Sequence, residues 1–179
     1  ISDDGLFVEV KAEYAKEMVT GFIQLDGVTV GAVANRTAIY DENGEKAEEF
    51  AAVLTTDGAY KAAEFVTFCN AFEIPVLSLT NVKGFEANVR AEKTIAKAAA
   101  KLVYAFSNAD VPKVNVITGE AYGSAYVAMN SKSVGADMVY AWSQASIGMM
   151  DASLAAKIMY ADEIAAADDV TAKINEKAS

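Results

Sequence analysis

Residues 114–129 form the segment of this sequence best suited to chemistry. A short apolar strand is followed by a turn containing Gly119 and Gly123, and then by small residues that can start a helix. A strand that passes abruptly into a helix leaves the first backbone N–H groups of the helix without partners. N–H groups that converge on one point can stabilise an oxygen that becomes negatively charged during a reaction. The segment therefore predicts a loop that binds an oxyanion.

The composition excludes several other kinds of active site. The chain has 179 residues, no histidine and a single cysteine, Cys69. Catalysis by Ser-His-Asp or Cys-His is therefore excluded, as are an internal disulfide and a cysteine-rich zinc site, and we expect no metal site. Cys69 falls on a phenylalanine-rich helical face, which predicts a buried core position rather than a nucleophile.

The net charge of −10 limits the possible binding partners. Nucleic acids and anionic membrane surfaces attract Lys and Arg, so neither is an expected partner. A polyanionic ligand would have to bind mostly to another chain or domain. No apolar run approaches the roughly 20 residues needed to span a bilayer. The chain starts at Ile1 without a basic and then apolar leader, which is typical of a fragment or processed form of a cytoplasmic protein.

The elements that would position the loop alternate between strands and helices. Residues 18–35 predict a hairpin turning at Asp26-Gly27. A charged, turn-rich surface segment is expected next, followed by a helix that Asp57 caps. Phe65, Phe68 and Phe72 are expected on the face of this helix that is buried against the sheet. Further strands are expected at 76–80, 113–118, 136–142 and around 147, with helices at 87–109, 152–160 and 162–177. Another helix is expected to follow the glycine loop after residue 118 and to end near residue 132. This order predicts one α/β domain with a largely parallel sheet of right-handed βαβ units.

Eight segments, in order along the chain, resemble the C-terminal half of a biotin-dependent acyl-CoA carboxyltransferase subunit. That family includes propionyl-CoA and acetyl-CoA carboxylases and sodium-pumping decarboxylases. The segments are Tyr14–Phe22, Gly27–Asn35, Ala63–Pro75, Asn81–Phe85, Ala99–Phe106, Val111–Thr118, Ala121–Tyr126 and Tyr140–Trp142. The resemblance implies that residues 1–179 form a single crotonase-type domain, a spiral of ββα units. It also implies that the family sequence continues beyond Ser179.

The same resemblance implies the reaction and the partners. Such enzymes move a carboxyl group between N1 of a biotin on a carrier protein and the α-carbon of an acyl-CoA. The N-terminal half mainly binds coenzyme A, and the C-terminal half of a neighbouring subunit binds biotin. We therefore expect an N-terminal half, a biotin carrier protein and an acyl-CoA as partners, in a homo-oligomer. The acyl group and the direction of the reaction stay open.

The resemblance assigns roles to individual residues. Ser124 and Ala125 stand where the family has a Gly-Ala pair whose N–H groups hold the biotin oxygen, although Ser124 adds a side chain and can instead be a helix cap. Val127 stands where a residue often lines the acyl pocket, and its alternative is plain core. The expected biotin-binding residues are Gly84, Phe85, Tyr122, Gly123 and Tyr126. The tyrosines can instead be packing anchors.

Departures from the family keep two other functions open. Lys83 and Asn81 replace a family Pro and Asp, and Lys93–Ala98 replaces a glycine-rich stretch, which predicts continuous helix there. A non-catalytic assembly module is one alternative. A stand-alone crotonase-like hydratase or isomerase is the other, and it would need two converging acids. The acids near the candidate loops are Glu86, Glu92, Glu120 and Asp151.

A shared active site predicts an apolar face that contacts a neighbour. The candidates are Ile147–Met150 and the side of the next helix that carries Leu154, Ile158 and Met159, where methionine suits an adaptable contact. Internal core is the alternative for both. Substitution of Met149 or Met159 by glutamate distinguishes the two interpretations, since only core positions would unfold.

Overall fold

The computed structural model describes residues 2–167 and 169–178. The strands are β1 (Phe7–Glu9), β2 (Met18–Leu25), β3 (Val28–Asn35), β4 (Ala38–Tyr40), β5 (Lys46–Glu49), β6 (Val53–Leu54), β7 (Val76–Val82), β8 (Gly84–Phe85), β9 (Lys113–Tyr122), β10 (Met138–Ala141) and β11 (Ser146–Gly148). The α-helices are α1 (Thr56–Ala71), α2 (Val89–Asn108), α3 (Gly123–Ala128), α4 (Ala152–Met159), α5 (Ala161–Ala165) and α6 (Val170–Ala178). Short 3-10 turns cover Asp3–Gly5 and Lys132–Val134.

Seven strands form the central sheet in the order β1-β2-β3-β7-β9-β10, with β11 also paired to β9. β2 is antiparallel to both of its neighbours, β1 and β3, and the remaining pairs of this sheet are parallel. A ββα pattern occurs twice: β2 and β3 precede α1, with the short strands β4, β5 and β6 between them, and β7 and β8 precede α2. The predicted α/β domain with an antiparallel hairpin on a parallel sheet is confirmed.

The hairpin of β2 and β3 follows from its turn residues. Asp26 and Gly27 both have positive φ, 51° and 76°, as a two-residue turn of the favoured hand requires. The register pairs Leu25 with Val28 directly across the turn and continues to Met18 and Asn35. Strand positions and register therefore confirm the sequence prediction.

The start of α1 differs from the prediction. Thr55, not Asp57, is the N-cap, and its hydroxyl accepts a hydrogen bond from the Gly58 N–H at 2.9 Å. Asp57 instead forms an ion pair with Arg90 of α2 at 2.9 Å. Both residue types can cap a helix, and the helix starts two residues earlier than predicted.

The phenylalanine face of α1 is only partly buried, which corrects the prediction. Phe65 and Cys69 are buried, whereas Phe68 and Phe72 are 45% and 65% exposed. Phe68 reaches over the ring of Phe22 on β2, with ring centroids 6.0 Å apart. The sheet continues beyond β2 only in the three-residue β1, so nothing in the described chain covers the outer part of this face.

The later part of the chain shows two further differences. β9 continues through the expected loop to Tyr122, and α3 ends at Ala128 rather than near Lys132. The single helix expected at 162–177 is two helices, α5 and α6. The main core lies between the sheet and α1, α2 and α3, and it includes Phe65, Leu102 and Phe106. No helix of the described residues has the length and apolar character needed to cross a membrane.

Candidate functional site

The candidate site is built around the point where β9 passes directly into α3. Tyr122 is the last residue of β9 and the N-cap of α3, with extended φ and ψ of −116° and 138°. The first N–H groups of an α-helix, here those of Gly123, Ser124 and Ala125, have no partner within the helix. Ser124 is exposed and Ala125 is buried. No side chain caps α3, so Ser124 does not serve as the helix cap that the sequence allowed.

Gly123 is required by its conformation and by a close neighbour. Its φ is 58°, and a Cβ added there would lie 3.0 Å from the backbone oxygen of Met149. Met149 follows β11, which pairs in parallel with the end of β9. The ring of Tyr122 packs beside Gly148 of β11, because a Cβ on that glycine would lie 3.5 Å from the ring. β11 and the residues after it therefore form one wall of the site.

The short strand β8 forms the second wall. Gly84 and Phe85 pair with Val53 and Leu54 of β6, and β8 packs against α3. Phe85 and Tyr126 also pack on the main core. Burial raises the pKa of the Tyr126 hydroxyl, so this group is protonated at neutral pH. The five expected biotin-binding residues thus lie on β8, β9 and α3, and α3 contacts both strands.

Val127 shares an exposed face of α3 with Ser124. The two residues are three positions apart, which places them on the same side of a helix. Val127 is 38% exposed, so it is not the plain core residue that was the alternative. An apolar side chain therefore stands beside the first turn of α3.

Asn81 was noted in the sequence only as a departure from the family pattern, and the structure gives it a positioning contact. Pairing of β7 with β9 shifts register between Thr80 and Val82. At this irregularity the side-chain oxygen of Asn81 accepts a hydrogen bond from the Glu120 N–H at 2.9 Å. A Cβ on Gly119 would lie 2.6 Å from the same oxygen. The Asn81 side chain thus replaces a backbone hydrogen bond that the irregular pairing of β7 with β9 lacks. This contact lies two residues before Tyr122, where β9 ends.

A buried polar network holds the other end of α3, and sequence reasoning missed it. Asn115 donates through Nδ2 to the Met129 carbonyl at 3.0 Å and accepts from the Thr80 hydroxyl at 2.8 Å. Asn130 donates to the Ser78 hydroxyl at 3.2 Å. Asn115 is a polar residue in the middle of an apolar strand, and that position was the available signal. These bonds fix α3 to the two central strands of the sheet.

Of the four candidate acids, Glu120 and Asp151 are engaged in other contacts. Glu120 forms an ion pair with Lys83 at 3.2 Å, and Asp151 caps α4 by accepting from the Leu154 N–H at 3.0 Å. Glu92 is exposed on the first turn of α2. Within residues 2–167 and 169–178, no group of three or more Cys, Asp or Glu side chains is placed to hold a metal ion.

The segment that replaces the family's glycine-rich stretch is continuous helix, as predicted. Residues 93–98 lie inside α2, which is capped by the side chain of Asn88. The hydroxyl of Thr94 lies 2.9 Å from that of Thr56 at the start of α1. This contact joins the two long helices.

The proposed contact residues after β10 are on the surface of this chain. Met149 and Met159 are 85% and 73% exposed, and Ile147, Leu154 and Ile158 are also exposed. They are therefore not internal core within the described residues. We call these five residues the methionine face.

Known proteins resemble this chain over its whole length. The family described as the carboxyl transferase domain matches residues 1–179. The propionyl-CoA carboxylase beta chain of Roseobacter denitrificans is 44% identical over 165 residues, which are 92% of this chain and 30% of that protein. The methylmalonyl-CoA carboxyltransferase 12S subunit of Propionibacterium freudenreichii subsp. shermanii is 42% identical over 178 residues, which are 99% of this chain and 32% of that protein. The chain therefore spans about a third of the length of these relatives.

A solved structure of the transcarboxylase 12S protein, a hexamer with methylmalonyl-coenzyme A bound, superposes with a TM-score of 0.83 at 42% identity. The superposition covers 99% of this chain and 32% of that one. The beta subunit of geranyl-CoA carboxylase from P. aeruginosa has the same fold, with a TM-score of 0.82 at 24% identity. These similarities confirm the predicted crotonase-type fold.

Proposed function

The chain belongs to the carboxyl transferase domain family, and we propose that it supplies the biotin-binding half of an acyl-CoA carboxyltransferase active site. The observation that carries the proposal is the family match over the whole chain, with the expected loop forming the junction of β9 and α3. Relatives named for propionyl-CoA and methylmalonyl-CoA support an acyl-CoA as the second substrate. Residues 1–179 would then be the C-terminal domain of a longer subunit.

The proposed catalytic groups are the backbone N–H donors of Ser124 and Ala125. When the carboxyl group leaves N1 of carboxybiotin, the bonding electrons stay on the ureido group and negative charge builds up on its oxygen. Preorganised N–H donors stabilise such charge without a nucleophilic side chain, which suits a chain without histidine. The fixed conformation of Gly123 and the hydrogen bonds of Asn81 and Asn115 supply the preorganisation.

We assign the surroundings of these donors to a ring-shaped ligand next to an acyl chain. Gly84, Phe85, Tyr122, Gly123 and Tyr126 form the proposed biotin walls, and Val127 faces the acyl group. The net charge of −10 favours binding of the coenzyme A phosphates by a separate N-terminal half. The partners are then that half, a biotinylated carrier protein and an acyl-CoA.

The methionine face supports a proposed oligomeric contact. Exposed apolar side chains in such number are typical of protein–protein interfaces, and methionine adapts to irregular partners. We assign this face to the neighbouring subunit or N-terminal half that completes the active site. The hydratase alternative is not favoured, since Glu120 and Asp151 are engaged in other contacts.

Two variants of one residue test the catalytic assignment. Ser124→Pro removes the backbone N–H in the first helical turn, where proline is tolerated, and Ser124→Ala keeps it. The assay is carboxyl transfer from carboxybiotin carrier to acyl-CoA by the complete enzyme that contains this domain. Loss of one such donor lowers the rate by about 10² to 10³-fold, so we expect this loss in Ser124→Pro and less than about threefold in Ser124→Ala.

Thermal unfolding of both variants controls for folding. Equal activity of a folded Ser124→Pro variant and Ser124→Ala would refute the N–H assignment. A complete enzyme that is inactive even without substitution would favour the assembly module, an alternative that the continuous helix over residues 93–98 keeps open.

A further inference from the structure

Helix α2 carries a line of exposed cations on an otherwise acidic chain. The chain has a net charge of −10, yet α2 holds four of its 15 Lys and Arg residues and a single acid, Glu92, which leaves the helix with a net charge of +3. The four cations are Arg90, Lys93, Lys97 and Lys101, and all are exposed. Their spacing of three, four and four residues places them on one side of the helix. We call these residues the basic stripe, which is roughly 17 Å long.

The middle of the basic stripe has no acidic partner. At its two ends, Arg90 pairs with an aspartate of α1 at 2.9 Å, and Lys101 lies 3.9 Å from a glutamate of the same helix. Among the residues that the structure describes, no acid forms an ion pair with Lys93 or Lys97. Two neighbouring ammonium groups on this surface therefore have only solvent as a partner within the described chain.

The stability of α2 does not explain this arrangement of charges. Lys93, Lys97 and Lys101 follow one another at intervals of four residues, and like charges at this spacing repel each other. Arg90 lies in the first turn, where a cation opposes the helix dipole. An acidic surface placed against the basic stripe would offset both unfavourable effects. The stripe thus has the charge and the exposure of a surface that binds an acidic partner.

The basic stripe borders the proposed carboxyl transfer site. β8, one of the proposed biotin walls, ends at Phe85, and the N-cap of α2, Asn88, follows three residues later. α2 also contacts α3. The other wall, β11, leads into the methionine face, which we have assigned to the neighbouring subunit or N-terminal half. A carrier protein that brings its biotin to this site therefore has the α2 side available to it.

We propose that the basic stripe is the docking surface for an acidic face of the biotin carrier protein, with Lys93 and Lys97 at its centre. This inference rests on the proposed function, because the transfer reaction is what requires a carrier. Charged residues around a contact mainly raise the rate of encounter and orient the partner. Such a contact suits a carrier that binds, delivers its biotin and leaves again in each turnover. Four cations spread along a helix match an extended acidic surface rather than a single phosphate group.

Binding of the carrier protein without its biotin separates docking from occupation of the site. Fluorescence anisotropy of labelled, unbiotinylated carrier protein, titrated with the complete enzyme that contains this domain, gives Kd. Lys93→Glu combined with Lys97→Glu should raise Kd at least about tenfold at about 0.05 M salt, because attraction becomes repulsion. At about 0.5 M salt, screening should reduce this difference to less than about threefold. An unchanged Kd, or an increase that salt does not reduce, would overturn the proposal.

Lys46→Glu combined with Lys173→Glu is the matched control, because it changes the net charge equally at two lysines outside α2. This pair should change Kd less than about twofold, and an increase equal to that of the stripe variant would mean an effect of net charge alone and overturn the proposal. Lys93→Gln combined with Lys97→Gln removes the charges without reversing them. It should raise Kd about threefold, and it decides the question if thermal unfolding shows that the glutamate variant does not fold.

Carboxyl transfer from methylmalonyl-CoA to biotin distinguishes a failure of docking from a failure of the proposed function. The glutamate variant of Lys93 and Lys97 should lower kcat/KM at least about tenfold with biotinylated carrier protein as the acceptor, and less than about twofold with free biotin. Equal losses with both acceptors would mean a disturbed site or weaker binding of coenzyme A, and would overturn the docking assignment alone. An unsubstituted enzyme that transfers to neither acceptor would refute the proposed function, and the docking assignment with it.

Discussion

Replacement of Gly123 by alanine should destabilise the fold by more than its unusual backbone angle alone explains. An L-residue held at a φ of 58° costs roughly 1–2 kcal/mol of folding free energy. The unfolded alanine variant has less conformational entropy than the unfolded glycine protein, which offsets about 0.4–1 kcal/mol of that cost. The added Cβ would also lie 3.0 Å from the Met149 carbonyl oxygen. That oxygen belongs to the backbone and cannot rotate away, so the contact adds about 1–3 kcal/mol.

Gly44→Ala is the matched control for this experiment. Gly44 has a φ of 80°, but a Cβ added there would have no atom within 4 Å. It should therefore cost only the backbone contribution, about 1 kcal/mol, against about 2–4 kcal/mol for Gly123→Ala. In a chain of this size 1 kcal/mol corresponds to a Tm change of about 2–4 °C. We expect Gly123→Ala to unfold about 4–16 °C below the unsubstituted protein.

Urea unfolding followed by circular dichroism gives both free energies of unfolding, and transfer activity reports on the site. Gly123 directly precedes Ser124 and Ala125, so a backbone shift that moves the new Cβ away from the Met149 oxygen should also displace these two N–H donors and lower activity. If Gly123→Ala and Gly44→Ala lower stability equally, the close approach of the Met149 carbonyl contributes nothing and the reasoning is wrong.

Three further predictions concern the core and the surface. Burial raises the pKa of the Cys69 thiol from 9.0 to about 12, so this thiol should react with Ellman's reagent at pH 8 only after unfolding. The unfolded chain loses this proton first, so the contribution of the thiol to the free energy of unfolding should be constant below about pH 9 and fall as the pH rises toward 12; the same pH dependence in a Cys69→Ala variant would contradict the burial of the thiol. Asn115→Ala should cost about 2–4 kcal/mol in urea unfolding, because it removes two buried hydrogen bonds and leaves the Met129 carbonyl and the Thr80 hydroxyl with only the 3.4 Å bond between them; a loss below 1 kcal/mol would contradict the network. Met149→Glu and Met159→Glu should keep the Tm within about 2 °C and shift the assembly toward monomer in analytical ultracentrifugation, whereas unfolding would place them in a core.

Several elements could be predicted because the residues that specify them lie close together in the sequence. Asp26-Gly27 sets a tight turn by the angles that its two residues accept, and the strands on both sides follow from it. The eight segments that resemble the carboxyltransferase family predicted the crotonase-type fold, since they occur in this chain in the same order as in the family.

The site was predicted as a location but not as a geometry. The sequence placed Ser124 and Ala125 after a strand, yet it predicted a loop from residue 119 where β9 continues to Tyr122. That continuation depends on the Asn81 amide and on β11, which lie about 25 to 40 residues away along the chain. Periodicity and turn propensity act over a few residues and do not include such partners.

The sequence by itself determined the class of fold, the hairpin, the helix over residues 93–98 and the burial of Cys69. Only the tertiary structure decided which rings of α1 are covered. Phe65 and Phe68 share one helical face, and they differ in how far the sheet extends opposite each ring. It also decided that Lys61 is buried, since its ammonium group finds carbonyls 46 and 47 residues earlier in the chain. Local patterns set which face of an element is apolar, and the extent of the neighbouring elements sets how much of that face is covered.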